Sequence, residues 1–215
     1  MKKQKIKETD LAFIITQYLK SSNRELFAEV QCWGGTITDL VVRENKLTSA
    51  IEFKTSFGLA VIAQAVHNKK YYSYSYVAVP KCKVTFAHQV CKDYGIGIIQ
   101  ADLNKVKPSV QIVLPAKLNE KVKPAKLRDF QKLNQAGVQS DRITSFKYFV
   151  QSVEDQLTIN ENGMTHIELF RSCYKHYLSH HNLKNALLQY IKEGVIKRVE
   201  YRDKKFYLTL ETINI

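Results

Sequence analysis

The chain of 215 residues is poor in the residues that staple or punctuate a fold. It has four cysteines, four prolines, eight glycines, two methionines and one tryptophan. Cys32, Cys82, Cys91 and Cys173 form no CxxC pair, which argues against a zinc ribbon or a disulfide scaffold and fits reduced thiols in a cytoplasmic compartment. No apolar run reaches the ~18 residues of a membrane span. The lysine-rich N-terminus is not followed by an apolar segment with a small-residue cleavage site, so no secretory signal is expected. Low-complexity sequence is also lacking: 45% hydrophobic and 25% charged residues are globular proportions. The length suffices for one ordinary domain and a smaller second one.

Negative charge is the other scarcity. Against 33 Lys and Arg stand 20 Asp and Glu, a net +13 with a pI near 9.5. Up to position 120 there are 17 basic and 10 acidic residues, and beyond it 16 and 10, so the excess is not a tail. Such a balance favours a polyanionic partner, nucleic acid foremost.

Periodicity supplies the elements. Leu11, Ile14, Ile15, Tyr18 and Leu19 recur at helical spacing between Glu8 and Lys20. Leu26 to Trp33, Thr36 to Val42 and Leu47 to Lys54 read as three strands, interrupted by Gly34-Gly35 and the turn Glu44-Asn45-Lys46. A helix over Leu59 to Val66, a strand over Tyr76 to Pro80, a helix over Phe86 to Tyr94 closed by Gly95, and a last buried strand over Ile96 to Gln100 follow. The order α-β-β-β-α-β, with an extra helix before the last strand, predicts a mixed sheet flanked by helices over 1–104. Pro108, Pro115 and Pro124 make 105–140 a connector.

Within the second and third strands, charge interrupts apolar sequence. Asp39 lies between Ile37 and Val41, and Glu52 and Lys54 flank Phe53. A period of two puts Glu52 and Lys54 on one face of their strand. Buried charges of this kind need a partner or a metal, and two carboxylates from adjacent strands are the hard oxygen ligands that Mg²⁺ prefers. An ExK triplet alone is uninformative, since Glu44-Asn45-Lys46 is a second one. The hairpin carrying Asp39 and the helix after Lys54 are what give the first its weight.

Ile37-Thr38-Asp39-Leu40, then Ala50-Ile51-Glu52-Phe53-Lys54-Thr55, then a helix containing Gln64, resembles the PD-(D/E)xK nuclease superfamily of restriction endonucleases and Holliday-junction resolvases. The resemblance covers residues 8 to 102. It implies an α/β, restriction-endonuclease-like fold and a Mg²⁺- or Mn²⁺-dependent endonuclease acting on DNA. Asp39 and Glu52 are then metal ligands and Lys54 the catalytic lysine. An additional glutamate, Glu8 or Glu29 with Glu29 preferred, joins the ligands, and Gln64 matches the family's helix glutamine, with Tyr71 or Tyr72 as its tyrosine partner. Thr38 stands where the family usually has proline. The readings left beside an active nuclease are an inactive DNA-binding protein of the same fold, a resolvase-like homodimer acting on branched DNA, and an adaptor that docks another protein.

Beyond the connector, 141–215 reads as helices over Ile143 to Leu157 (behind Asp141), Met164 to Tyr177 and Leu183 to Glu193, capped by Gly194. A hairpin over Val195 to Val199 and Phe206 to Leu210 follows. Leu187-Leu188-Gln189-Tyr190-Ile191-Lys192-Glu193-Gly194-Val195-Ile196 is similar to the third helix of winged-helix domains and its turn into the wing, which implies a small α+β winged-helix unit. Its expected contacts with double-stranded or branched DNA are Lys184 and Asn185, together with His180, His181 and Asn182 on the helix, and Arg202, Lys204 and Lys205 on the wing. Zinc ligation by His176, His180 and His181 is not expected, because no cysteines accompany them. Trp33 is open between core and substrate loop.

Overall fold

The computed structural model describes residues 6–33, 35–103, 107–137 and 143–209. It divides into two compact units, Met1–Arg142 and Ile143–Ile215.

In the first unit, helix α1 (Glu8–Leu19) buries Leu11, Ala12, Ile15 and Leu19, a stripe at helical spacing. Strands β1 (Arg24–Gln31), β2 (Ile37–Glu44) and β3 (Leu47–Phe53) form an antiparallel meander. Helix α2 (Leu59–Asn68) then crosses over to β4 (Tyr74–Pro80), and α3 (Phe86–Tyr94) to β5 (Gly97–Asp102). Both crossovers return parallel strands, so β3, β4 and β5 lie parallel at the centre of the sheet. Buried on both faces, these strands are continuously apolar rather than alternating, as in Val77-Ala78-Val79 and Ile98-Ile99. One face, with Leu40, Ile51, Phe53, Ala78 and Ile99, packs on α1. The other, with Val77, Val79 and Ile98, packs on Val61, Ile62 and Ala65 of α2 and Ala87 and Cys91 of α3.

The segment expected to be a connector belongs to this sheet. Ser109–Leu114 forms β6, antiparallel to β5, and the strand order is β1-β2-β3-β4-β5-β6. Pro108 and Pro115 bracket the strand rather than interrupt it, a placement that an edge strand tolerates. The chain then forms a 3-10 helix, Asp129–Leu133, that packs against β1 and buries Phe130 and Gln131.

The second unit carries helices α4 (Ser145–Ile159), α5 (His166–Ser172) and α6 (His180–Lys192) and the hairpin β7 (Val199–Arg202) and β8 (Lys205–Leu208). Asp141 and Leu210 lie outside the described residues. Phe149, Val153, Leu157, Leu169, Leu183, Leu187 and Phe206 form its core. Helix α5 is shorter than its periodicity predicts. Thr165 caps its start in a reciprocal box with Glu168, and Ser152 Oγ accepts from Tyr174 N at 2.9 Å and draws the chain out of helix. Met164, read as the helix start, instead pairs with Phe206 in an isolated antiparallel β-bridge. The first strand of the hairpin begins at Val199, not Val195. Asp203 and Lys204 turn it with both residues at positive φ, 48° and 62°.

Gly97 carries a packing constraint that can be tested. A Cβ there would lie 2.2 Å from the ring of Tyr76, its partner on β4, and 2.8 Å from Ala116 N. Backbone on one side and a packed ring on the other cannot both yield. Gly97→Ala should therefore destabilise the protein by about 1–3 kcal/mol, read as a lowered Tm, with Gly58→Ala, which meets open space, as the comparison.

Candidate active site

The site begins where two strands part. β2 pairs with β3 only as far as Leu40↔Ile51, and beyond that point the Phe53 N–H would lose its cross-strand acceptor. Asp39 Oδ2 takes that hydrogen bond at 2.9 Å. The side chain thus substitutes for ladder backbone and is fixed in the fork. Glu52, on β3, points with Ala50 toward α2. Asn68 Nδ2, on the last turn of that helix, donates to Glu52 Oε1 at 2.6 Å. Asp39 is 9% exposed and Glu52 2%, and the two are close enough for the charge of Asp39 to act on Glu52.

A buried polar chain orients Asn68. Thr38 Oγ1 donates to Asn68 Oδ1 at 3.0 Å, which turns the amide nitrogen toward Glu52. Cys32 Sγ sits 3.5 Å from Thr38 Oγ1 and 3.2 Å from Tyr72 OH, extending the chain into the core. Strict alternation would place Thr38 with Leu40 on the α1 face. The fork breaks alternation there and sends Thr38 to α2 instead.

β3 ends at Phe53, just before Lys54. The Lys54 backbone N–H bonds Ala78 O on β4 at 3.1 Å. Its ammonium reaches Glu8, at the start of α1, at 3.1 and 3.2 Å to the two carboxylate oxygens. Lysine and glutamate are each about one-third exposed, so this is a screened pair at the mouth of the site and contributes little to stability. Its positive charge is nonetheless felt at both buried carboxyls, and the charge of Glu8 at Asp39.

The other expected residues lie differently. Glu29 sits opposite the fork with φ 56°, a left-handed conformation for a buried non-glycine residue, and its Oε1 accepts from Gly137 N at 3.1 Å. Of the two additional glutamates, Glu8 rather than Glu29 is the one joined to Lys54. Gln64 is exposed on α2 and has no hydrogen bond to either carboxyl. Asn68, one turn later, makes the contact. Tyr72 is buried behind Cys32, and Tyr71 OH donates to Trp33 O at 2.6 Å. Asn68 was legible in principle: it continues the buried stripe Val61, Ala65, and a polar residue on such a stripe must find a partner.

Electrostatics marks the pair. Burial, and then the charge of Asp39, pushes Glu52 up to about 9, while the Asn68 hydrogen bond opposes them. Burial also raises Asp39, against the Phe53 N–H and the charge of Lys54. The two carboxyls titrate as a pair, and burial with the neighbouring Asp39 charge keeps Glu52 protonated above the ordinary glutamate range. Among the described residues no donor is directed at Glu52 Oε2, which is buried. That orphaned oxygen beside a second carboxyl is a donor set of hard oxygens, suited to Mg²⁺ or Mn²⁺ with water completing the shell. No cluster of three His, Cys, Asp or Glu residues placed to hold a metal occurs among the described residues, so the protein contribution to such an ion is this pair.

In the second unit, the Lys184 ammonium lies 5.7 Å over the Tyr201 ring. The Arg202 guanidinium lies 4.4 Å over Tyr207 and 3.3 Å from Glu200 Oε1. Lys205 Nζ bonds Asn162 O at 3.2 Å, whereas Asn185 and Lys204 are exposed. His166, His180 and His181 cluster with ring centroids 4.1 to 6.1 Å apart.

Because the fold favours neutral Glu52, its contribution to stability is fully present below the ordinary glutamate value of 4.5 and is lost as the pH climbs toward about 9. Glu52→Gln keeps an acceptor for Asn68 and cannot ionise. In metal-free protein at pH 8 it should raise Tm by about 2–6 °C and flatten the decline of Tm between pH 5 and 9. A Tm lowered by the substitution at both pH values would mean that no carboxyl repulsion is stored there. No family model, curated protein or solved structure matches the chain, so the chemistry rests on these residues alone.

Proposed function

We propose that the protein is a divalent-metal-dependent DNA nuclease with a restriction-endonuclease-like first unit and a winged-helix second unit that grips duplex DNA. The observation that carries this reading is the pair of buried carboxyls, Asp39 and Glu52, converging at a strand fork with one oxygen lacking a donor and a lysine at the mouth. Asp39 and Glu52 would hold Mg²⁺ or Mn²⁺, with Asn68 and Thr38 fixing the rotamer of Glu52. Such an ion stabilises charge on the phosphate and lowers the pKa of attacking water. Lys54, kept at the mouth by Glu8, moves to the phosphate and offsets the charge that grows on its oxygens. The net charge of +13 suits the substrate.

The second reading, a DNA-binding protein of the same fold that does not cleave, has one observation in its favour: both oxygens of Glu8 engage Lys54. Nicking of plasmid, linear and branched DNA under Mg²⁺, Mn²⁺ and EDTA decides between them. In the nuclease, Asp39→Asn and Glu52→Gln abolish metal-dependent cleavage and leave DNA binding in EDTA intact. Asn68→Ala weakens metal affinity by about 10–100-fold, as loss of a ligand-orienting group does. Full activity in both carboxyl variants would refute the assignment.

For the second unit, Arg202, Lys204 and Lys205 are proposed to contact phosphates, at the expense of the Glu200 and Asn162 contacts. Replacing all three with alanine should reduce the slope of log K against log salt by about 0.9 per lost contact on duplex DNA. An unchanged slope would give this unit a different partner.

A further inference from the structure

Several exposed apolar side chains have no place in the core and share one edge of the sheet. The start of β2 and the ends of β3 and β4 meet at that edge, since β2 is antiparallel and β4 parallel to β3. Trp33, in the loop entering β2, is 69% exposed; Val84, between β4 and α3, and Phe86, the first residue of α3, are 84% and 78% exposed. Asp39 and Glu52 lie on the strands between them, with Lys54 just past the end of β3. Both prongs are braced. Tyr71 holds the Trp33 carbonyl, and Cys32 N bonds Thr36 O at 2.8 Å beside it. On the other side Lys81 N bonds Ala101 O at 2.8 Å, Thr85 N donates to His88 Nδ1 at 3.0 Å, and the His88 ring packs edge-on against Phe57 at 4.8 Å. Phe57 belongs to the loop that follows Lys54.

Lys83 adjoins Val84 and Lys81 lies three residues before it, its ammonium 3.2 Å from Asp102 Oδ2 but largely exposed, and the first turns of α2 and α3 contain no acidic residue. A braced apolar tip among lysines does not suit an apolar protein partner, which would have to strip the ammonium groups of water. It does suit nucleic acid, where lysines meet phosphate while aromatic and apolar tips enter or cover an opened base step. Continuous duplex offers no such step. We infer that Trp33 on one side and Val84 with Phe86 on the other receive unstacked bases flanking the cleavage site, so that the preferred substrate is DNA with an interruption in stacking, such as a splayed end or a branch. The position of these bases relative to the reacting phosphate rests on the nuclease reading; the base contacts themselves do not.

Trp33 is the one tryptophan of the chain, which makes its emission a specific reporter. The full-length protein is titrated in EDTA with a linear duplex, a splayed duplex and a four-way junction of matched sequence. Splayed and branched DNA should bind about tenfold tighter than linear duplex and quench Trp33, whereas linear duplex should quench it little at saturation. Val84→Ser with Phe86→Ala should bring splayed and branched DNA down to the affinity of linear duplex, as should Trp33→Ala, with circular dichroism unchanged because all three side chains are exposed. Lys81→Ala with Lys83→Ala should weaken all three DNAs alike. Unaltered Trp33 emission at saturation, or a preference that survives both prong variants, overturns the inference, including the case in which the prongs dock a protein. The nuclease reading fails separately: quenching and preference in EDTA without cleavage in Mg²⁺ or Mn²⁺ would refute that reading alone, and cleavage without quenching would refute this one alone.

Discussion

Two carboxyls held side by side in a nearly dry fork set the terms for everything around them. An ionised carboxylate moved from water into a protein interior is destabilised by several kcal/mol, and a second one close by adds repulsion. The fold answers with a backbone N–H for Asp39, an amide for Glu52 and an ammonium at the mouth. Three elements take part: the end of β3, the last turn of α2, and the start of α1 through Glu8. The arrangement would be a poor choice for stability alone, since a hydrophobic pair of similar volume would pack there without compensation. On the proposed reading, a divalent cation would compensate the pair that the fold alone leaves costly.

The polar chain behind Asn68 follows from the same constraint. An asparagine amide can present either its oxygen or its nitrogen, and only the nitrogen suits Glu52. Thr38 removes the ambiguity by donating to the oxygen. Thr38 and Asn68 therefore act as one unit: the strand hydroxyl fixes the amide whose nitrogen serves Glu52.

The sequence made the carboxyls legible because charge stands out against apolar strands, and Asp39 and Glu52 needed no more than that contrast. Residues whose roles depend on packing between distant elements were harder to read. The ion pair of Lys54 with Glu8 joins residues 46 apart in sequence through the packing of α1, which no local pattern reveals. Local signals misled in the second unit and the connector for a similar reason. Prolines that bracket a strand read like prolines that break one, so β6 was missed. The apolar spacing from Met164 to Tyr177 could not reveal that Phe206 would claim Met164 as a β-bridge partner and Ser152 would claim Tyr174.

Topology then explains why chemistry and grip share one edge. In a sheet whose central strands run parallel, every crossover loop that follows a strand emerges on the same side, so the loops after β3 and β4 are neighbours without any specific attraction between them. The antiparallel β2 adds its own entry loop to that edge because its beginning pairs with the end of β3. Lys54, Phe57, Lys81, Lys83, Val84 and Phe86 come from two such crossovers and Trp33 from the entry loop. A core that fixes strand order therefore also fixes the spacing between the carboxyl pair and the exposed tips on either side. Those tips can vary in sequence without disturbing the buried fork, because their side chains lie outside its packing.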